Sequence, residues 1–207
     1  MNNKIKYLPI GILTITTALS GVALSSAGVA ADTSGSKPAS VTVGTACTFT
    51  GSTSYTENIN VYAGTLVESN TSRAPYEVRC NDSNGFKIQA IGFSPDSTHS
   101  SGLEGNTAMY NSVSGATIPT GTSGTNSYWS FKIGFAYASE GGYTIASGYN
   151  SYHDVPATAA DVVSYGGSTS SFVSGLFRPD YQVFAAVSQA AGSYAGAVKY
   201  TLVPGTT

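Results

Sequence analysis

Large apolar residues in this chain recur at every second position, in short runs broken by Gly, Ser, Thr and Asn. That period belongs to strands with one buried face. Val41 and Val43 alternate with Thr42 and Gly44, and the run continues to Cys47 and Phe49. Ile59, Val61 and Leu66 mark a second extended region. Tyr76, Val78 and Cys80 face one way with Glu77 and Arg79 opposite, and Phe86, Ile88 and Ala90 repeat the pattern against Lys87 and Gln89. Between these two runs Asn81-Asp82-Ser83-Asn84-Gly85 is a turn signal, so 76–80 and 86–93 are expected to form a hairpin. Residues 94–127 are polar, with Leu103, Met109, Tyr110, Val113 and Ile118 as large apolar anchors, and predict long loops carrying one or two short strands.

The clearest strand follows, with Trp129, Phe131, Ile133, Phe135 and Tyr137 on one face and Ser130, Lys132, Gly134 and Ala136 on the other. Five large residues in phase predict a half-buried sheet. Glu140-Gly141-Gly142 reads as a turn and Tyr143 to Tyr152 as a short Tyr-rich region. Residues 157–165 fit either one helical turn or a strand. Tyr181, Val183 and Ala185 predict one more strand and Val198, Tyr200 and Leu202 the last, with Gly192-Ser193 as the hairpin turn between them. Roughly eight to ten short strands indicate an antiparallel β-sandwich.

The N-terminus reads differently. Lys4 and Lys6 precede an apolar stretch from Leu8 to Leu24, and Val29-Ala30-Ala31 offers small residues for cleavage before Asp32. Residues 1–31 therefore read as a secretory signal peptide, 32–39 as a flexible lead and 40–204 as one domain. The roughly 176 residues left after cleavage suffice to bury about 70% of their unfolded surface in a single core. An even pair of cysteines in a secreted chain favours a disulfide, Cys47 to Cys80. Closing that loop of about 34 residues stabilises the fold by roughly 3–4 kcal/mol in the chain-entropy account.

Composition narrows the function classes. Only 10% of the 207 residues are charged, while 30 Ser, 24 Thr and 24 Gly fill turns and outer faces. Loss of Lys4 and Lys6 leaves seven basic and eleven acidic side chains, about −4 overall. Nothing there suits nucleic acid, which is held chiefly by Lys and Arg, or a membrane surface once the leader is gone. No nucleophile elbow, His-Glu-x-x-His helix, phosphate loop or cofactor motif is present. His153 precedes Asp154, but adjacent strand residues point to opposite faces. The acidic residues Glu57, Glu68, Glu77, Asp82, Asp96, Glu104, Glu140, Asp154, Asp161 and Asp180 sit in no motif, and Asp82 and Asn84 read as a turn rather than a calcium loop. Tyrosine is in surplus, with 14 against 8 Phe. Tyr143, Tyr149 and Tyr152 are the candidates for a ligand or adhesion surface, because Tyr gives large contact area at low entropic cost.

Three segments, Thr45–Phe49, Val78–Gly92 and Ala191–Val203, together with Ser151-Tyr152-His153-Asp154-Val155-Pro156, resemble small secreted proteins of Saccharibacteria-type (candidate phyla radiation) bacteria. More distantly, the layout is similar to spore-coat-U and pilin-like domains, with an early strand Cys, a second a few dozen residues on and a closing Ala-Gly-x-Tyr-x-Gly-x-Val strand. This resemblance implies an immunoglobulin-like sandwich in which Cys47 and Cys80 join neighbouring strands, displayed as a surface or fibre subunit. Asp32–Pro38 is too short and polar to be the apolar arm that pilins donate, so donation would fall to Val41 and Val43. The expectation is a secreted structural or adhesive cell-surface protein without catalysis or cofactor. Its partners would be other copies in a surface assembly, or glycans of a host-cell surface. The alternatives are a carbohydrate-binding module using exposed Tyr and, third, a secreted hydrolase.

Overall fold

The computed structural model describes residues 22–25, 40–43, 46–50, 56–69, 75–94, 104–139, 142–167 and 173–205. Most of 1–31, expected to be a leader, and all of 32–39, expected to be a flexible lead, lie outside the described residues. The chain divides into two compact units, 1–44 and 45–207. In the first, β1 (Val22–Ser25) pairs antiparallel with β2 (Ser40–Val43), Leu24 opposite Val41. The strand expected to run from Val41 to Phe49 is thus two: β2 pairs within the first unit, and β3 (Cys47–Thr50) belongs to the second.

The second unit is all-β and antiparallel, with no helix among the described residues. Its strands are β3, β4 (Thr65–Glu68), β5 (Tyr76–Cys80), β6 (Phe86–Phe93), β7 (Met109–Tyr110), β8 (Thr117–Ile118), β9 (Tyr128–Ala138), β10 (Tyr143–Ile145), β11 (Ala160–Tyr165), β12 (Val173–Ala185) and β13 (Ala197–Pro204). The ambiguous stretch 157–165 is strand from Ala160 onward, and the polar middle holds the two short strands β7 and β8, paired with each other. One sheet runs β10-β11-β6-β13. In the other, β12 is flanked by β9 on one edge and by β5 and β4 in succession on the other, with β3 outside β5.

The two sheets pack as a sandwich, with Tyr200 making aromatic contacts across its core. Tyr200 of β13 stands 5.7 Å from Tyr76 and 5.3 Å from Phe177, ring centre to ring centre. Within the sheets, directly opposed pairs stack, Tyr76 on Phe177 at 5.0 Å and Phe86 on Tyr165 at 4.4 Å. Such pairs add about 0.5–1.5 kcal/mol each beyond their area. Val78, Ile88, Phe131, Val163 and Phe177 are wholly buried among them. Tyr165 sits deep enough that burial raises its phenol pKa, and its hydroxyl donates to the Leu176 carbonyl at 2.8 Å.

Two expected hairpins are not hairpins. β5 and β6 lie in different sheets, and so do β12 and β13. Alternation reports which side chains point inward, and it reads the same whether consecutive strands pair or face each other across the core. The 81–85 turn is therefore an arch. Asn84 N–H donates to Asp82 Oδ1 at 2.8 Å and Gly85 N–H to the Asp82 carbonyl at 3.0 Å. Gly85 has φ +81°, and a Cβ there would stand 2.0 Å from the Tyr165 carbonyl oxygen, so only glycine lets the arch close onto β11.

The long strand also departs from strict alternation. Arg178 is paired with Phe135 but Pro179 with Ile133, which leaves Gly134 as an extra residue in β9. This bulge inverts the phase. Trp129, Phe131 and Ile133 are buried as expected, whereas Phe135 and Tyr137 turn outward, 40% and 49% exposed, and Ala136 takes the inner face. Two features place the bulge here. Pro179 lacks a ladder donor, and the Asp180 carboxylate occupies the space where a Gly134 side chain would lie, 1.6 Å from an ideal Cβ.

Two substitutions check this architecture by thermal or denaturant unfolding. Trp129 is buried and its indole N–H donates to the Thr107 carbonyl at 2.8 Å; Trp129→Ala is expected to cost about 3–5 kcal/mol. Gly134→Ala, conservative on an ordinary strand, is expected to cost about 1–3 kcal/mol by displacing Asp180. Unchanged stability of Gly134→Ala would show that the bulge is not packed as described.

Candidate functional site

The cysteines predicted to pair are bonded: Cys47 and Cys80 stand directly opposite each other on β3 and β5. The three candidate tyrosines go to three surroundings. Tyr143 opens β10 opposite Tyr165 and is about half exposed. Tyr149 is taken into the core, 5.4 Å from the Phe131 ring, where burial raises its phenol pKa. Tyr152 lies along the opposite face of β9, with Lys132 Nζ 4.3 Å from its ring centre. They do not build one platform.

His153 exchanges both backbone hydrogen bonds with Phe131, at 2.8 and 3.1 Å, and so extends the β9 edge. Its ring Nδ1 lies 3.0 Å from the Asp154 carbonyl oxygen, and Asp154 thus contacts the imidazole through its backbone. Asp82 is buried in the arch. Asp161 is held below the ordinary carboxylate range by hydrogen bonds from Lys87 and then Gln89, at 2.8 and 2.9 Å. Asp96, His99 and Glu140 lie outside the described residues. Among the described residues no three His, Cys, Asp or Glu side chains gather as a metal site.

Two arrangements carry polar chemistry. The first is a cluster on the outer face of the five-stranded sheet. Register sets Lys132 opposite Asp180, Ser130 opposite Gln182, and Glu68 opposite Gln182 from the other side. Arg178 Nε donates to Asp180 Oδ1 at 3.0 Å, with Asp180 only 3% exposed. Lys132 Nζ lies 4.0 Å from Glu68 and against the Tyr152 ring, so the charges compensate pairwise. Ser130 Oγ is buried without a hydrogen bond, and Tyr152 Oη is buried beside the Glu68 carboxylate. Burial first, then the neighbouring Glu68 and Asp180 carboxylates, raises the Tyr152 pKa and keeps its phenol neutral.

The second is a cleft of about 600 Å³ at the other end of β12. One wall is an extended strap, residues 56–63, in which Glu57, Ile59 and Val61 turn partly inward while Asn58, Asn60 and Tyr62 are exposed. Ile59 and Val61 anchor it on the core. Gly64 N–H donates to the Ala185 carbonyl at 2.6 Å and Thr65 N–H to the Tyr62 carbonyl at 3.0 Å, fixing its end. The other wall is the 189–194 loop. Gln189 Nε2 donates to Tyr194 Oη at 2.6 Å, and that hydroxyl donates to the Ala190 carbonyl at 2.7 Å. Met109, Ile118, Val183 and Ala185 form the floor. Glu57 is the one charged residue among the described residues of the lining. Asn58, Asn60 and Tyr62 had one signal in the sequence, their alternation with Ile59 and Val61, which marks an extended segment but not a cavity wall.

No protein-family model, curated protein or solved structure matches this chain.

The buried Tyr152 hydroxyl gives a direct check of the outer-face cluster. Tyr152→Phe keeps the ring against Lys132 and removes a buried hydroxyl whose polar neighbour is the exposed Glu68 carboxylate, so stability is expected to change by less than about 1 kcal/mol. A loss of about 1 kcal/mol or more on unfolding would mean that the hydroxyl is bonded.

Proposed function

We propose that this is a secreted structural or adhesive cell-surface protein that assembles in a pilus-like or coat layer. The observation that carries the reading is the Cys47–Cys80 bond, which staples β3 to β5 in a charge-poor sandwich. Disulfides persist outside the reducing cytosol. The basic, apolar and small-residue succession of 1–31 supports the same compartment.

Two features support assembly. Cleavage before Asp32 would release β1, which is the strand paired with β2, and so leave Ser40–Val43 available to pair with another chain. β13 has β6 on one side and no strand on the other among the described residues, an edge to which a further strand can add. A surface with few charges and many hydroxyls and rings suits recognition by hydrogen bonding and stacking, and it offers few groups for acid–base chemistry.

Antibody labelling of intact cells, with mass spectrometry of the labelled protein, tests this. The expected result is surface label, an N-terminus at or near Asp32 and cysteines resistant to alkylation without reductant. A chain retained inside the cell with Met1 and both thiols free would contradict it. Purified without denaturant, the exported protein is expected to form concentration-dependent oligomers in analytical ultracentrifugation, and a strict monomer at all concentrations would remove the assembly part.

A further inference from the structure

We propose that the cleft between the 57–63 strap and the 189–194 loop binds a neutral saccharide of one or two rings. This rests on the adhesive reading and names the chemistry of its contact. Size comes first. About 600 Å³ lies within the range of small-molecule sites and is too small for a folded partner domain. Charge comes second. The described lining has no Lys or Arg with which a phosphate, sulfate or uronate could pair. A lining of amides, a hydroxyl and a phenol without cationic groups instead suits an uncharged ligand.

The remaining polar groups fit that ligand. Asn58 and Asn60 each offer two donors and an acceptor, and Ser193 offers a hydroxyl, a set that matches adjacent sugar hydroxyls, which both give and take hydrogen bonds. Tyr62, 78% exposed, presents a ring for the apolar face of a pyranose. The walls are set before binding. Ile59 and Val61 pin the strap, and the Gln189–Tyr194–Ala190 hydrogen bonds hold the loop, so little ordering cost remains. An extended peptide is the competing occupant. It would seek pockets for alternating apolar side chains, but the strap turns its own Ile59 and Val61 toward the core and offers amides and a phenol at the rim.

Titration calorimetry of the purified full chain with maltose, cellobiose, lactose and N,N′-diacetylchitobiose tests the proposal, with a hyaluronan disaccharide and an alternating Val-Thr hexapeptide as contrasts. At least one neutral disaccharide is expected to bind with Kd on the order of 0.1 mM. Tyr62→Ala and Asn60→Ala should each weaken it about tenfold or more without moving the melting temperature, while Val113→Ala, 94% exposed and outside the cleft, leaves it unchanged. No heat from any neutral disaccharide at about 10 mM, binding insensitive to Tyr62→Ala and Asn60→Ala, or preferential binding of the peptide or the charged disaccharide would overturn it. The assay uses isolated protein, so binding stands even if the chain is found inside the cell, and absence of binding leaves surface location untouched.

Discussion

β12 is hydrogen-bonded along both edges, to β9 over most of its length on one side and to β5 and then β4 on the other. Its inner face carries Val173, Phe177 and Val183 into the core, and its outer face carries the buried Asp180 and Gln182 into the charge cluster. A strand so placed cannot shift by one residue without exchanging the two sets. Its one irregularity, at Pro179, is matched by the extra Gly134 on β9, and the Asp180 carboxylate fills the gap that glycine leaves. The bulge thereby decides which aromatics of β9 are core and which face solvent.

This arrangement explains what could be read from residues alone. Period-two alternation located β5, β6, β9, β13 and the 181–185 end of β12, because each has one apolar face and polar residues opposite. The disulfide followed from an even pair of cysteines in a chain whose first 31 residues read as a leader. Pairing was not legible. Asn81–Gly85 and Gly192-Ser193 are genuine turn sequences, but each link joins strands of opposite sheets, and the inward set is the same for a hairpin and an arch. The phase change at Gly134 had two local signals, a glycine in β9 and a proline in β12, whose conjunction needs the register to be seen. Tyr149 shows the same limit: a tyrosine among Ser, Gly and Asn looks exposed until the segment is found lying along the edge of β9, which turns its ring onto Phe131.

The two polar arrangements sit on the same frame for different reasons. The outer-face cluster is internally compensated, Arg178 with Asp180 and Lys132 with Glu68 and the Tyr152 ring, and its neutrality fits a role in fixing β9 against β12. The described lining of the cleft has one charged residue and exposed amides, and one of its walls is a strap held by side chains more than by a ladder. In the proposed reading, the rigid stapled sandwich supplies stability outside the cell, and the strap and loop at its end supply recognition. Chain links that repeatedly cross between sheets make the fold rich in non-local contacts, which slows folding, and the Cys47–Cys80 bond offsets part of that chain entropy.

Native-state hydrogen exchange tests the role of β12 most directly. The account predicts that the slowest amides, exchanging only by global unfolding, lie in β12 and the paired part of β9, and that amides of the 56–61 strap exchange by local opening well below that limit. Amides of β12 exchanging as fast as those of the edge strands β10 and β13, or a strap as protected as β12, would contradict it.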